Sequence, residues 1–269
     1  MRHSPEPANL SHSQLVSSAE VQQSAEKSDY FLVAPAGFHP NASFFGMEKE
    51  LQRLHSKLSN PKKRAFGSVA VLVHGGSGAG KSHLARQYVF AHRGAYVGGI
   101  FWVDAKSKTS LFKCFWDIAQ EMSSKYGRES QDLDWDNADL YVDKLRKWFE
   151  SRSNWLLVFD GLNLGDDDLS ELKRFLPYSK NSGIIYTSIN STLVGRQRLF
   201  EPCGLRVRPL SVPDARKLLF RSLGIKQPTP EQVRKATELV EYYECLPLVD
   251  GIHLNARLLI NLNIPNKGF

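Results

Sequence analysis

The chain has 269 residues, 42% of them apolar, and a formal net charge of +7. That is enough apolar material for one large domain plus a smaller one, and no uninterrupted apolar run is long enough to span a membrane. The start, Met1-Arg2-His3-Ser4-Pro5-Glu6, lacks the apolar block of a secretory signal. Cys114, Cys203 and Cys245 have neither metal-ligand nor paired spacing, which predicts reduced thiols in a cytoplasmic protein. Lysine and arginine are spread along the chain. Their densest run, Lys62-Lys63-Arg64, is expected in a short loop before the first core strand, without zinc-finger or RNA-binding signatures. This favours a solvated basic surface over a nucleic-acid site.

In chain order, residues 1–29 are rich in Ser, Gln, Glu and His and are expected to be disordered. Phe31-Leu32-Val33-Ala34-Pro35 is a short extended piece, and Asn41–Leu51 leads into a helix with Leu51, Leu54 and Leu58 on one face. The run Val69-Ala70-Val71-Leu72-Val73 reads as a buried strand, and Lys81–Val89 follows with helical spacing. Gly98–Val103, ending at Asp104, is a second strand; Leu111–Met122 and Asp136–Glu150 are helices separated by a polar loop. Trp155–Asp160 and Gly183–Ser188 are further strands, with a short helix over Asp168–Leu176 between them, and Leu205–Leu210 is expected as the fifth. Strands alternating with helices predict a parallel sheet. Beyond it, Ser211-Val212-Pro213-Asp214 and Thr229-Pro230-Glu231-Gln232 are capping patterns that open two helices, and Val249–Ile260 is expected to form a final one. The organisation expected is one α/β domain over residues 30–210 and a small helical domain, complete or incomplete, over 211–269.

Between the first strand and its helix lies Gly75-Gly76-Ser77-Gly78-Ala79-Gly80-Lys81-Ser82, which fits the phosphate-loop pattern G-x-x-x-x-G-K-[ST]. Its glycines let successive backbone N–H groups turn toward a phosphate, and the helix adds the positive end of its dipole there. Lys81 can reach the outer phosphates, and the Ser82 hydroxyl can bind Mg²⁺. Asp160, at a strand's carboxyl end, is the candidate second metal ligand. Gly161 follows it, so a second acid for orienting water is missing. Thr187, Ser188 and Asn190 could reach the γ-phosphate or the lytic water, or could equally satisfy backbone groups at a strand-to-loop turn.

Together, the loop, the Trp155–Asp160 strand, Ile184-Ile185-Tyr186-Thr187-Ser188 and Cys245-Leu246-Pro247-Leu248 resemble the NB-ARC module of STAND signalling ATPases. Phe44-Phe45-Gly46-Met47-Glu48 resembles the opening motif Phe-x-Gly-Arg-Glu beside the family's adenine pocket, and Ile100–Ala105 resembles fungal members in particular. The resemblance implies a P-loop NTPase α/β fold with strand order 5-1-4-3-2, counted over these five strands, and a helical domain closing over the nucleotide. It implies ATP or ADP with Mg²⁺ as ligands and an off/on switch that assembles with protein partners or with itself. The nucleotide site it implies comprises Phe45, Gly46, Gly75, Gly76, Ser77, Gly78, Ala79, Gly80, Lys81, Ser82, His83 and Pro247, with Ser82 and Asp160 as metal ligands.

Several residues depart from the family pattern. Met47 replaces the opening arginine, Gly161 the second acid, Ile189 the sensor arginine and Cys245 the glycine of Gly-Leu-Pro-Leu. The chain is expected to stop before a winged-helix domain. These changes leave binding more intact than hydrolysis. The expectation is a nucleotide-dependent regulatory module with weak or absent ATPase activity. The alternatives are an active P-loop ATPase or kinase, and a scaffold with a vestigial site.

Overall fold

The structure is a computed structural model that describes residues 31–41, 44–126, 138–163 and 171–247. Six parallel strands form one sheet in the order β1-β3-β4-β5-β2-β6. They are β1 (Leu32–Val33), β2 (Val69–His74), β3 (Gly99–Asp104), β4 (Trp155–Asp160), β5 (Gly183–Ser188) and β6 (Cys203–Arg206). Across the five long-expected strands this is the anticipated 5-1-4-3-2 order. The extended piece at Leu32–Val33 adds an edge strand against Ile100 and Phe101 of β3.

The central strands are nearly continuous apolar runs because both sheet faces are covered. One face presents Val71, Val73, Ile100, Trp102, Leu156, Val158, Ile185 and Leu205. The other presents Leu72, Phe101, Val103, Trp155, Leu157, Phe159, Ile184 and Tyr186. The first is covered by α1 (Glu48–Leu58), which buries Leu54 and Leu58, and by α3 (Lys81–His92), which buries Leu84, Ala85, Tyr88 and Val89. The second is covered by α4 (Lys108–Tyr126) and α5 (Ala138–Glu150) through Phe115, Ile118, Val142 and Phe149.

Two further helices, α6 (Val212–Ser222) and α7 (Pro230–Tyr242), pack on each other and share the first face's core through Leu219, Phe220, Ala236 and Val240. Their starts follow the capping chemistry. Ser211 Oγ accepts from the Asp214 N–H, and Thr229 and Gln232 form a reciprocal capping box. No helix of the described residues is long and apolar enough to cross a membrane.

Three expectations are corrected. Lys62-Lys63-Arg64 lies in a short helix, α2 (Pro61–Phe66), because Asn60 caps it by accepting from Lys63 N–H and Pro61 occupies the first helical position. The β6 strand runs over Cys203–Arg206 rather than Leu205–Leu210: Val207 N–H makes a bond to His74 O, and Pro209 cannot continue a ladder. In place of the end of the expected 168–176 helix there is a 3₁₀ turn at Lys173–Phe175, where Pro177 follows too closely for a longer helix. Residues 1–30, 164–170 and 248–269, including the expected N-terminal disorder and the helix at 249–260, lie outside the described residues.

Candidate functional site

Every long strand ends on the same edge of the sheet, and β2, β4 and β5 deliver His74, Asp160 and Ser188 there. At that edge β2 gives way to the glycine-rich loop. A Cβ on Gly75 would lie 2.4 Å from the backbone oxygen of Val207, so only glycine lets the chain pass β6. Gly78 and Gly80 have φ of 72° and 91°, the left-handed region that glycine adopts without strain. Gly76 and Ser77 are exposed on the outer side of the loop, whereas Ala79 is buried beneath it. A Cβ on Gly76 would meet nothing within 4 Å, so its backbone faces open space. A loop of this shape, opening onto the N-terminus of a twelve-residue helix, has the form of an anion cradle.

Lys81 folds back over the cradle, its Nζ donating to Gly75 O at 3.1 Å and Gly76 O at 2.7 Å. Burial lowers its pKa, and the nearby Asp160 carboxylate opposes that shift. The Ser82 hydroxyl donates to Oδ1 of Asp160 at 2.6 Å. The same oxygen accepts from Thr187 Oγ1 at 2.5 Å. A hydroxyl and a carboxylate oxygen side by side suit a hard cation such as Mg²⁺, which prefers a few oxygen ligands and keeps the rest of its shell for phosphate and water.

The three polar residues at the end of β5 and just beyond it also bond to backbone groups. Thr187 Oγ1 accepts from Gly161 N–H at 2.8 Å, Ser188 Oγ donates to Leu162 O at 2.5 Å, and Asn190 Oδ1 accepts from Thr192 N–H at 2.9 Å. Gly161 has φ of 78°, and a Cβ there would meet Cγ of Lys106 at 2.8 Å. Lys106 thus covers the position next to Asp160, held on its other side by a 3.7 Å ion pair with Asp104. Ile189 is 58% exposed at the rim.

The segment before α1 straps across α3. Phe38 sits 4.7 Å from the Trp102 ring and under the Arg86 guanidinium at 5.0 Å, and Asn41 Nδ2 donates to Nδ1 of His83 at 2.8 Å. Burial lowers the His83 pKa, Arg86 lowers it further, and Asp160 opposes both. Phe45 is half-buried in the turn before α1. Gly46, with φ of 79°, comes so close to Leu210 that a Cβ would meet Cδ2 at 2.9 Å.

Met47 and Pro247 meet at the loop. A Cβ on Gly80 would lie 2.9 Å from Met47 Cε and 3.3 Å from Pro247 Cγ. The structure thereby gathers the opening motif, the loop and the proline after α7 at one place. Cys245 has φ of 55°, the left-handed conformation that explains why a glycine would suit its position, and its carbonyl accepts from Leu210 N–H at 3.1 Å. Asn41, Met47 and Lys106 were not singled out from the residues themselves. Only Met47 had a sequence signal, its place in the opening motif; the other two come from chain crossings far apart in sequence.

The sequence model of the NB-ARC domain matches residues 47–224, about two thirds of the chain. Comparison with curated protein sequences gives no match. Among solved structures, the chain is similar to Cdc6p from Pyrobaculum aerophilum, with 19% identity and a TM-score of 0.52 over 85% of this chain and 63% of that one. It is also similar to a signal transduction ATPase with numerous domains (STAND) from Pyrococcus horikoshii that carries a tetratricopeptide repeat sensor. There the identity is 16% and the TM-score 0.50, over 86% of this chain and 32% of that one. The chain therefore spans less than two thirds of either protein, and at these identities the likeness is one of fold. The family match, the parallel sheet and the loop geometry agree: this chain belongs to the NB-ARC domain family and is a P-loop nucleotide-binding module.

Proposed function

We propose that the protein is a nucleotide-dependent regulatory switch that binds ADP or ATP with Mg²⁺ and hydrolyses ATP slowly or not at all. The observation that carries this reading is the Ser82–Asp160 pair, 2.6 Å apart beneath the glycine loop. The loop amides of residues 75–80 and Lys81 would hold the phosphates. Gly46, Phe45, His83 and Pro247 would border the rest of the nucleotide. Mg²⁺, when bound by Ser82 and Asp160 directly or through water, would neutralise phosphate charge.

The case for slow turnover rests on what surrounds Asp160. Gly161 supplies no acid, Lys106 covers its position, and the hydroxyls of Thr187 and Ser188 are engaged within the fold. Ile189 supplies no charge at the rim. We further propose a division near residue 210, with α6 and α7 forming a small domain that closes on the nucleotide through Pro247. The setting would be cytoplasmic, and partner proteins or other copies of the chain would read the bound state.

Calorimetric titration of ATP and ADP, joined to assays of turnover and acceptor phosphorylation, tests this. Tight binding with little turnover is expected. Turnover above about 1 s⁻¹ would make the protein an enzyme of the kinase or ATPase class, and no binding would make it a scaffold.

A further inference from the structure

A second concavity lies at the opposite end of β2, where Val69 begins the strand. It has a volume of about 440 Å³, and its walls include Lys63, Phe66, Tyr178, Gln197, Phe200 and Glu201. That size falls within the range of about 300–1,000 Å³ usual for ligand pockets.

The walls are held by a web of bonds between three segments. Tyr178 Oη donates to Phe66 O at 2.5 Å, and Gly67 leaves room for the Tyr178 ring, which a Cβ there would meet at 2.4 Å. The Tyr178 and Phe200 rings are edge-to-face at 5.7 Å. Ser68 Oγ donates to Ser179 O at 3.0 Å, and Val69 N–H donates to Ser182 O at 3.0 Å. Lys63 Nζ donates to Cys203 Sγ at 3.0 Å, fixing α2 to β6. The cavity is therefore pre-formed, which lowers the ordering cost of binding.

Two properties define what fits. Phe66 is 79% exposed and Tyr178 55%, a degree of aromatic exposure that marks recognition surfaces. The three wall segments also carry Lys62, Lys63, Arg64, Lys180, Arg196 and Arg198 against Glu201 alone. The basic run that the nucleotide site does not use is thus placed beside an aromatic cavity.

We propose that this cavity docks an acidic segment of a partner protein, with an aromatic side chain of that segment seated between Phe66, Tyr178 and Phe200. The placement of Glu201 favours a peptide over nucleic acid. Glu201 is one of the lining residues, and its carboxylate can accept from the N–H groups of a peptide backbone, whereas a sugar-phosphodiester backbone offers no N–H donor.

Fluorescence anisotropy with a labelled hexapeptide Asp-Glu-Asp-Trp-Asp-Glu tests this. The comparisons are the same peptide with Ala for Trp and a labelled oligothymidine. Saturable, salt-sensitive binding of the Trp peptide is expected, weakened about tenfold or more by Phe66→Ala and by Lys63→Glu. Thermal unfolding checks that both variants fold. Phe66→Ala keeps the test decisive if Lys63→Glu does not, because the Phe66 side chain is exposed. The proposal is overturned if the Trp peptide does not bind, if both peptides bind alike, or if neither substitution weakens binding. Tighter binding of oligothymidine would overturn it in favour of a nucleic-acid interface.

Discussion

Ser82 and Asp160 are 78 residues apart in the chain, yet the serine hydroxyl donates to the aspartate Oδ1 at 2.6 Å. One residue lies in the first turn of α3 and the other closes β4, so the contact joins the phosphate loop to the sheet's carboxyl edge. Asp160→Ala also removes an acceptor from Thr187, and stability is expected to fall by about 1–2 kcal/mol. In calorimetry with Mg²⁺, ATP affinity is expected to fall more than ADP affinity, because ATP presents more phosphate oxygen to the cation. Equal affinities of the parent with and without Mg²⁺ would remove the metal role.

Lys81→Ala is expected to weaken ADP and ATP binding about tenfold to hundredfold, the loss of one charge-assisted contact of about 1.5–3 kcal/mol. The fold is expected to survive, because Lys81 Nζ bonds to carbonyls of its own loop and not to the core. Unchanged ADP affinity in a folded variant would exclude the loop as a phosphate site.

Gly161→Asp tests the account of slow hydrolysis. The substitution places a side chain at φ of 78° and displaces Lys106, whose flexible chain can move. Aspartate tolerates this region better than most residues, and a cost of about 1–2 kcal/mol is expected. Turnover is expected to rise from well below about 1 s⁻¹. A folded variant with unchanged turnover would show that the missing second acid does not limit the rate.

At Cys245 the relevant comparison is between two variants. Both Cys245→Gly and Cys245→Ala empty the thiol's buried position, but only glycine relieves the φ of 55°. The glycine variant is expected to be about 1 kcal/mol more stable than the alanine variant in denaturant unfolding. The opposite order would mean that this backbone position is not strained.

Stability is expected to decline in mild acid. Burial lowers the pKa of His92 below 6.5, and His55, stacked on it at 3.9 Å, lowers it further. Tyr88 faces the same pair, with ring centroids 4.6 Å from His92. A depressed histidine pKa means that the folded state binds fewer protons than the unfolded one. The stabilisation is present above pH 6.5 and is lost as pH falls from there through the folded-state value. Denaturant midpoints should therefore drop on that interval, and His92→Gln should make the drop shallower. Equal slopes in parent and variant would exclude this pair as a source.

The sequence alone determined those features that depend on neighbours along the chain. Buried parallel strands read as apolar runs, glycines and Lys81-Ser82 mark a phosphate loop by spacing, and Ser211 and Thr229 announce helices through capping. The Asn60-Pro61 start of α2 is equally local, a capped helix start just ahead of the basic run. Other features depended on which segments the fold brings together. No local pattern indicates that Thr187 bonds to Asp160, that Lys106 covers Gly161, or that Asn41 meets His83. Met47 and Pro247 converge on Gly80 from distant parts of the chain, a meeting that the residues show only through the resemblance of their motifs. Such contacts are made by crossovers in a parallel sheet, where residues distant in sequence share an edge, so only the tertiary structure decides them.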